Sequence, residues 1–136
     1  MHIVVVLDAF GPELDAETAS AAVTAGWHAA APAARLTVLA PTAVGDSAVD
    51  GAFSGADLVI TGGASFDWQA LRDSLVTAVA GAAVAEGVPC VVLAGQVSVG
   101  RREAAAVGVD AAYAPADVSR EALVTLAERV ARRWGR

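Results

Sequence analysis

Leu58-Val59-Ile60-Thr61-Gly62-Gly63 and, further along, Val88-Pro89-Cys90-Val91-Val92-Leu93-Ala94-Gly95 are the stretches that decide the fold. Both are short apolar runs rich in β-branched residues and closed by glycine. Neither alternates polar with apolar, so each reads as a strand covered on both faces, as in a parallel sheet. Parallel neighbours need a crossover, and the residues between the two runs supply one. Leu71, Leu75, Ala78, Val79 and Ala82 recur at helical spacing. Gly87 stops that helix, and Pro89 follows two residues later.

The same unit repeats in both directions. Ile3–Leu7 and Arg35–Leu39 read as strands upstream, and Ala111–Tyr113 as one downstream. Ala19, Ala22, Val23, Gly26, Trp27 and Ala30 form a helical stripe after Asp15, an N-cap. Leu123, Leu126, Val130 and Trp134 form another after Ser119, and a short helix through Ala104–Val107 stops at Gly108. The segment Asp46–Phe53 is expected to be a further short helix. The pattern predicts one domain over residues 1–136, a three-layer α/β/α sandwich with a five-stranded parallel sheet and right-handed crossovers. The expected strand order is 2-1-3-4-5, by analogy with flavodoxin-like and Rossmann-like sheets.

Composition narrows the function. The chain has 136 residues, enough for one core. Hydrophobic residues make up 56% and mean hydropathy is +0.55, much of it from Ala and Val. No uninterrupted apolar run reaches the roughly 18 residues of a membrane helix. The start lacks the basic flank of a signal peptide, so a cytoplasmic protein with no membrane partner is expected. A net charge of −6 and a pI near 4.7 give no electrostatic footprint for nucleic acid. The basic cluster Arg129, Arg132, Arg133 and Arg136 falls at a helix end, where cations complement the dipole. All nine basic residues are Arg. Without Lys there is no P-loop lysine, no Schiff base and no lysine-assisted aspartyl phosphate. Cys90 is the single cysteine and sits in an apolar run, where it reads as a small hydrophobe. No Gly-x-Ser-x-Gly elbow occurs, and His2 and His28 have no neighbouring ligand partner.

Sites in such sheets lie at the carboxyl ends of the strands. The loops of interest are therefore Asp8–Pro12, Ala40–Asp46, Gly62–Gln69, Gly95–Arg101 and Ala114–Ser119. Asp8 with Asp46 can hold Mg²⁺, or Asp8 can cap its own loop. Asp67 can be a site acid, or the acceptor for the first free N–H groups of a helix. Thr61-Gly62-Gly63 reads as a strand end entering a helix, with N–H groups that can cradle an anion or simply turn the chain. Gly95-Gln96-Val97-Ser98 reads as a strand-end loop able to touch a ligand, or an exposed turn. Trp68 is an aromatic able to stack on a ligand or seal an interface.

Gly55-Ala56-Asp57-Leu58-Val59-Ile60-Thr61-Gly62, followed by Phe66-Asp67-Trp68-Gln69, resembles the "LVITGEGRID-x-Q" signature of bacterial two-lobed glycerate kinases. Gly87 to Gly95 resembles that family's "PVIALAG", and Gly108 to Tyr113 its "GIDAVFS". Val4 to Phe10 is similar to "VIAPDSFK", and Glu17 through Trp27 to the helix that follows. The resemblance runs in register over nearly the whole chain.

In that family one α/β lobe is built from both ends of a longer chain, with a second lobe inserted, and glycerate is phosphorylated with ATP and magnesium between them. The resemblance implies a single-lobe member joined at Phe53-Ser54-Gly55. It implies Asp8 and Asp67 as catalytic positions and Asp8 with Asp46 as metal ligands. It further implies Phe10, Asp46, Thr61, Gly62, Gly63, Gln69, Gly95, Gln96 and Ser98 as ligand-binding positions. The departures are in charge. The family's Lys after the first strand is matched by Gly11, its Glu and Arg in "GEGRID" by Gly63 and Ser65, and its "HGK" by Arg72-Asp73-Ser74. Its acidic "ADGGEGT" loop faces Ala43 to Ala48. Phosphoryl transfer needs positioned cations and metal-holding carboxylates. The expectation is a pseudoenzyme, a domain that binds a small anionic ligand or another protein, with self-association or a protein partner over the face the missing lobe would cover. The alternative is an active glycerate kinase using ATP and Mg²⁺ with a partner supplying that lobe.

Overall fold

The computed structural model describes residues 1–41, 53–72 and 74–135. Its elements run β1 (His2–Leu7), α1 (Ala16–Ala30), β2 (Arg35–Val38), β3 (Leu58–Phe66), α2 (Leu75–Ala85), β4 (Cys90–Val97), α3 (Arg101–Ala106), β5 (Ala111–Tyr113) and α4 (Arg120–Trp134). Every strand pairing is parallel and the order is β2-β1-β3-β4-β5, as expected from the sequence. The helix expected over Asp46–Phe53 lies almost wholly outside the described residues, as does Asp46 itself.

Successive strand side chains point to opposite faces, and this sorts the interior into two clusters. Ile3, Val5, Leu7, Leu58, Ile60, Val91 and Leu93 face α1 and α4. Val4, Val6, Val59, Cys90, Val92 and Ala94 face α2 and α3. β1 is buried from Ile3 onward, which is why its sequence shows no alternation.

The α1–α4 layer closes tightly because Gly26 has no side chain. A Cβ there would lie 2.2 Å from the Val124 carbonyl oxygen. Trp27, next to it, is wholly buried. Each long helix is capped as its sequence suggests: Asp15 Oδ1 accepts from Thr18 N at 2.8 Å, and Ser119 Oγ accepts from Ala122 N at 3.1 Å. Among the described residues no helix is long and apolar enough to cross a membrane.

Two boundaries differ from the sequence reading. β3 continues past Thr61 to Phe66 and β4 past Ala94 to Val97, because the two strands keep pairing, Ser65 with Gln96 and Phe66 with Val97. Thr61-Gly62-Gly63 is therefore strand, not a strand end entering a helix. The helix after it begins at Leu75 rather than Leu71. Its N-cap is Ser74, in a capping box with Thr77.

Candidate functional site

β1 stops at Leu7, opposite Gly62, while β3 and β4 run on together. Between β1 and β3 the strand order reverses, and the chain leaves the sheet from β1 toward α1 and from β3 toward α2 on opposite faces. Open α/β sheets leave a crevice at such a switch point, outside the carboxyl ends of the strands. A cleft of about 240 Å³ lies there, with Asp8, Gly63, Ser65, Ala70, Ser74 and Leu75 among the residues of its wall.

Asp8 follows β1 directly. Its backbone N donates to the Gly62 carbonyl at 2.9 Å, and its Oδ1 accepts from Ala9 N at 2.8 Å. The carboxylate thus orders its own loop, with its remaining acceptor capacity toward solvent. Gly63 sits beneath it: a Cβ at that position would lie 3.3 Å from Asp8 Cβ. Gly62 is closer still to its other neighbour. It has φ +150°, and a Cβ there would meet the Leu93 carbonyl oxygen at 1.7 Å. Gly95 continues the pattern on β4, where a Cβ would lie 2.7 Å from the Ala64 carbonyl oxygen. These glycines let backbone approach backbone and shape the cleft floor; they belong to strands rather than to a turn cradling an anion.

Asp67 closes β3. Its Oδ1 accepts from Gln69 N and Ala70 N, both at 3.1 Å, and Ser65 Oγ reaches its Oδ2 at 3.5 Å. It caps the turn before α2, not the helix itself. Ser74 finishes that turn by donating from Oγ to the Ala70 carbonyl at 2.6 Å.

The predicted residues divide by placement. Asp8, Gly62 and Gly63 line the cleft together. Asp67 and Gln69 stand at its margin, in the turn that carries Ala70. Gln96 and Ser98 are exposed at the end of β4, and Ser98 N donates to the Phe66 carbonyl at 3.0 Å. Phe10 and Thr61 turn inward: Phe10 joins the α1–α4 cluster at 3% exposure, and Thr61 is wholly buried. The Thr61 hydroxyl has no hydrogen-bond partner among the described residues. Asp46 is outside them.

Ser65 and Ser74 are wall residues that sequence reasoning did not single out. For Ser74 the signal was present, since Ser-x-x-Thr is a capping pattern. Among the described residues no group of three or more His, Cys, Asp or Glu side chains comes together to hold a metal. Among the described residues Asp8 is the one charged residue in the cleft wall. The described residues therefore do not compose a Mg²⁺ site, and no phosphoryl step follows from them.

An open, all-parallel sheet of order 2-1-3-4-5 with its cleft at the β1–β3 switch point defines a flavodoxin-like α/β domain. A receiver domain of a response regulator from Rhodospirillum rubrum shares this fold, with a TM-score of 0.54 at 12% identity over 94% of this chain and 90% of that one. The sequence profile of the glycerate kinase family matches residues 44–133. This chain belongs to the glycerate kinase family. Uncharacterized proteins of Mycobacterium bovis and Mycobacterium tuberculosis are each 37% identical to it over 73 residues, 54% of this chain. The matched stretch spans 19% of the length of each relative. Within this chain, β2 passes to β3 through residues 39–57, which leaves no room there for an inserted lobe.

Proposed function

We propose that this chain is a non-catalytic member of the glycerate kinase family, a binding domain whose carboxyl-end rim takes a small ligand and is covered by a protein surface, a second copy of the chain or another protein. The observation that carries this reading is the charge of the cleft. Among the described residues its wall holds one carboxylate, Asp8, and no cation. A migrating phosphoryl group spreads negative charge over its oxygens and needs fixed positive charge around it. Glycine and serine stand where the resembled kinases carry Lys, Glu and Arg.

The rim also favours a cover. Trp68, just after Asp67, is 62% exposed. Val118, beyond β5, is 49% exposed and reaches toward Gly11 and Gly95 on the same side of the sheet. An exposed tryptophan is a usual anchor of an interface, and Val118 adds apolar area at the same rim. A small anion would enter this cleft only with a cation beside Asp8, whereas a hydroxylated ligand can donate to the carboxylate directly.

A coupled ATPase assay with glycerate and Mg²⁺ tests the reading. No turnover above the Asp8→Ala variant is expected. Turnover that Asp8→Ala abolishes would establish the kinase instead. Sedimentation velocity tests the cover: association at micromolar concentration, weakened by Trp68→Ser, is expected for self-association, and a strict monomer would leave another protein as the covering surface.

A further inference from the structure

β5 is the last strand of the sheet and pairs only with β4, so its outer edge has no strand partner among the described residues. A groove of about 630 Å³ follows that edge. One wall comes from the α3 side and includes Val99, Arg101 and Ala104; the other comes from the α4 side and includes Tyr113, Arg133 and Trp134. Trp134 Nε1 donates to the Tyr113 hydroxyl at 3.0 Å, which fixes both rings against the α4 wall.

We propose that this edge receives an extended acidic peptide segment as a sixth strand, its backbone pairing with β5 and its carboxylates meeting Arg101 and Arg133. Two properties of the groove point to that occupant. The first is geometry. An added strand sends successive side chains to opposite faces of the sheet. Arg101 stands on the α3 face and Arg133 on the α4 face, so adjacent acidic residues on the incoming strand reach one Arg each. Strand addition of this kind draws affinity from main-chain hydrogen bonds and selectivity from side-chain pockets.

The second property is charge. The ion pair found among the described residues is Arg132 with Glu128; neither Arg101 nor Arg133 takes part in one. Arg129 and Arg132 flank the same end of α4 and line the adjoining hollow with Tyr113. A chain of net charge −6 thus gathers cations beside the outer edge of β5. Two copies meeting edge to edge at β5 would bring these clusters against each other, which disfavours self-pairing and favours an acidic partner. At physiological salt the screening length is about 8 Å, so the local Arg cluster outweighs the distant negative charge. The groove's own carboxylate, Asp110, is held at the start of β5 by accepting from Cys90 N at 2.9 Å, and it keeps its charge, one against the two arginines of the walls. The proposal concerns a face separate from the β1–β3 cleft and does not depend on that cleft's ligand.

The test is fluorescence anisotropy with a short labelled peptide of Val, Thr and two adjacent central Glu residues. The same peptide N-methylated along its pairing edge, and one with Lys replacing Glu, serve as comparisons. Binding of the acidic peptide is expected, weakened about tenfold or more by N-methylation and by the Arg101→Glu, Arg133→Glu double variant. Both arginines are exposed, so thermal melts of the variant should match the parent. Equal binding of the methylated peptide, equal binding of the Lys peptide, or no binding of the acidic one at millimolar concentration would overturn the proposal.

Discussion

At the β1–β3 switch point, glycine brings backbone against backbone, the walls are short side chains, and the one charge among the described residues is the carboxylate of Asp8. Along β5, the backbone has no outer neighbour among the described residues, the walls include Tyr113 and Trp134, and two guanidinium groups, Arg101 and Arg133, stand against the one carboxylate, Asp110. The two regions flank the same sheet. The first is where an open α/β fold places chemistry, and there this chain is close-packed and nearly neutral. The second is a sheet edge, which proteins ordinarily blunt with short strands or charge. β5 is short, and its charges stand on the helices to either side. One scaffold thus holds a close-packed cleft at its switch point and a groove of mixed charge along its β5 edge.

The sharpest way to break this comparison is Gly62→Ala. An added methyl group would sit 1.7 Å from the Leu93 carbonyl oxygen, on a backbone with φ +150°. No side chain can move aside, because the obstacle is the neighbouring strand. A loss of about 4 kcal/mol or more is expected, in the range of severe backbone and packing defects, read as a collapse of the urea midpoint or failure to fold. A Gly62→Ala protein with an unchanged midpoint would show that β3 and β4 do not approach as described, and the cleft floor would lose its basis.

The next effect lies nearer the β5 edge. Burial, with the charge of Asp110 adding to it, pushes the Cys90 thiol up from 9.0 to about 12. Below pH 9 both folded and unfolded chains keep the proton. Above pH 9 the unfolded chain releases it and the folded chain does not, so stability falls as pH rises. The slope is at most about 1.4 kcal/mol per pH unit, continuing until pH nears 12. Urea midpoints on either side of pH 9 should diverge for the parent, and Cys90→Ala should remove that part of the slope. The folded parent should also resist thiol reagents; rapid labelling of Cys90 under native conditions would contradict its burial.

These regions were not equally legible in the sequence. The parallel sheet followed from unalternated runs joined by helical stripes, the strand order from analogy with flavodoxin-like sheets, and the cleft's position from that order. Asp8, Gly62 and Gly63 were placed at the site for the same reason. The ends of β3 and β4 were misjudged because Gly62 and Gly95 look like breakers, and only cross-strand pairing shows that they continue the sheet. Phe10 and Thr61 looked available by their nearness to strand ends, yet Phe10 folds into the α1–α4 cluster and Thr61 lies where β3 is covered on both faces. The β5 groove had no local signal: Arg101 and Arg133 belong to different helices, and only the folded sheet edge brings them to opposite walls of one groove. The sequence reading of the α4 arginines as complements to a helix dipole stands, but it says nothing of what Arg133 faces.

The smallest effect tests whether the cleft's wall is a unit of its own. Ser74 Oγ accepts from Thr77 N at 3.3 Å and donates to the Ala70 carbonyl at 2.6 Å, while Ser74 N donates to Thr77 Oγ1 at 3.1 Å. One hydroxyl thus ties α2 to the turn that carries Asp67. Ser74→Ala should cost about 1 kcal/mol, the usual loss for an N-cap. Ser74→Asp should recover most of it, because a carboxylate accepts the same N–H and suits the positive end of the helix dipole. It would also set a second acid in the wall beside Asp8, making the cleft more negative without altering the β5 groove. If urea midpoints show alanine and aspartate equally costly, the defect is one of packing rather than capping. The turn would then be held by Asp67 alone, and the contrast between a rigid cleft and an open edge would narrow.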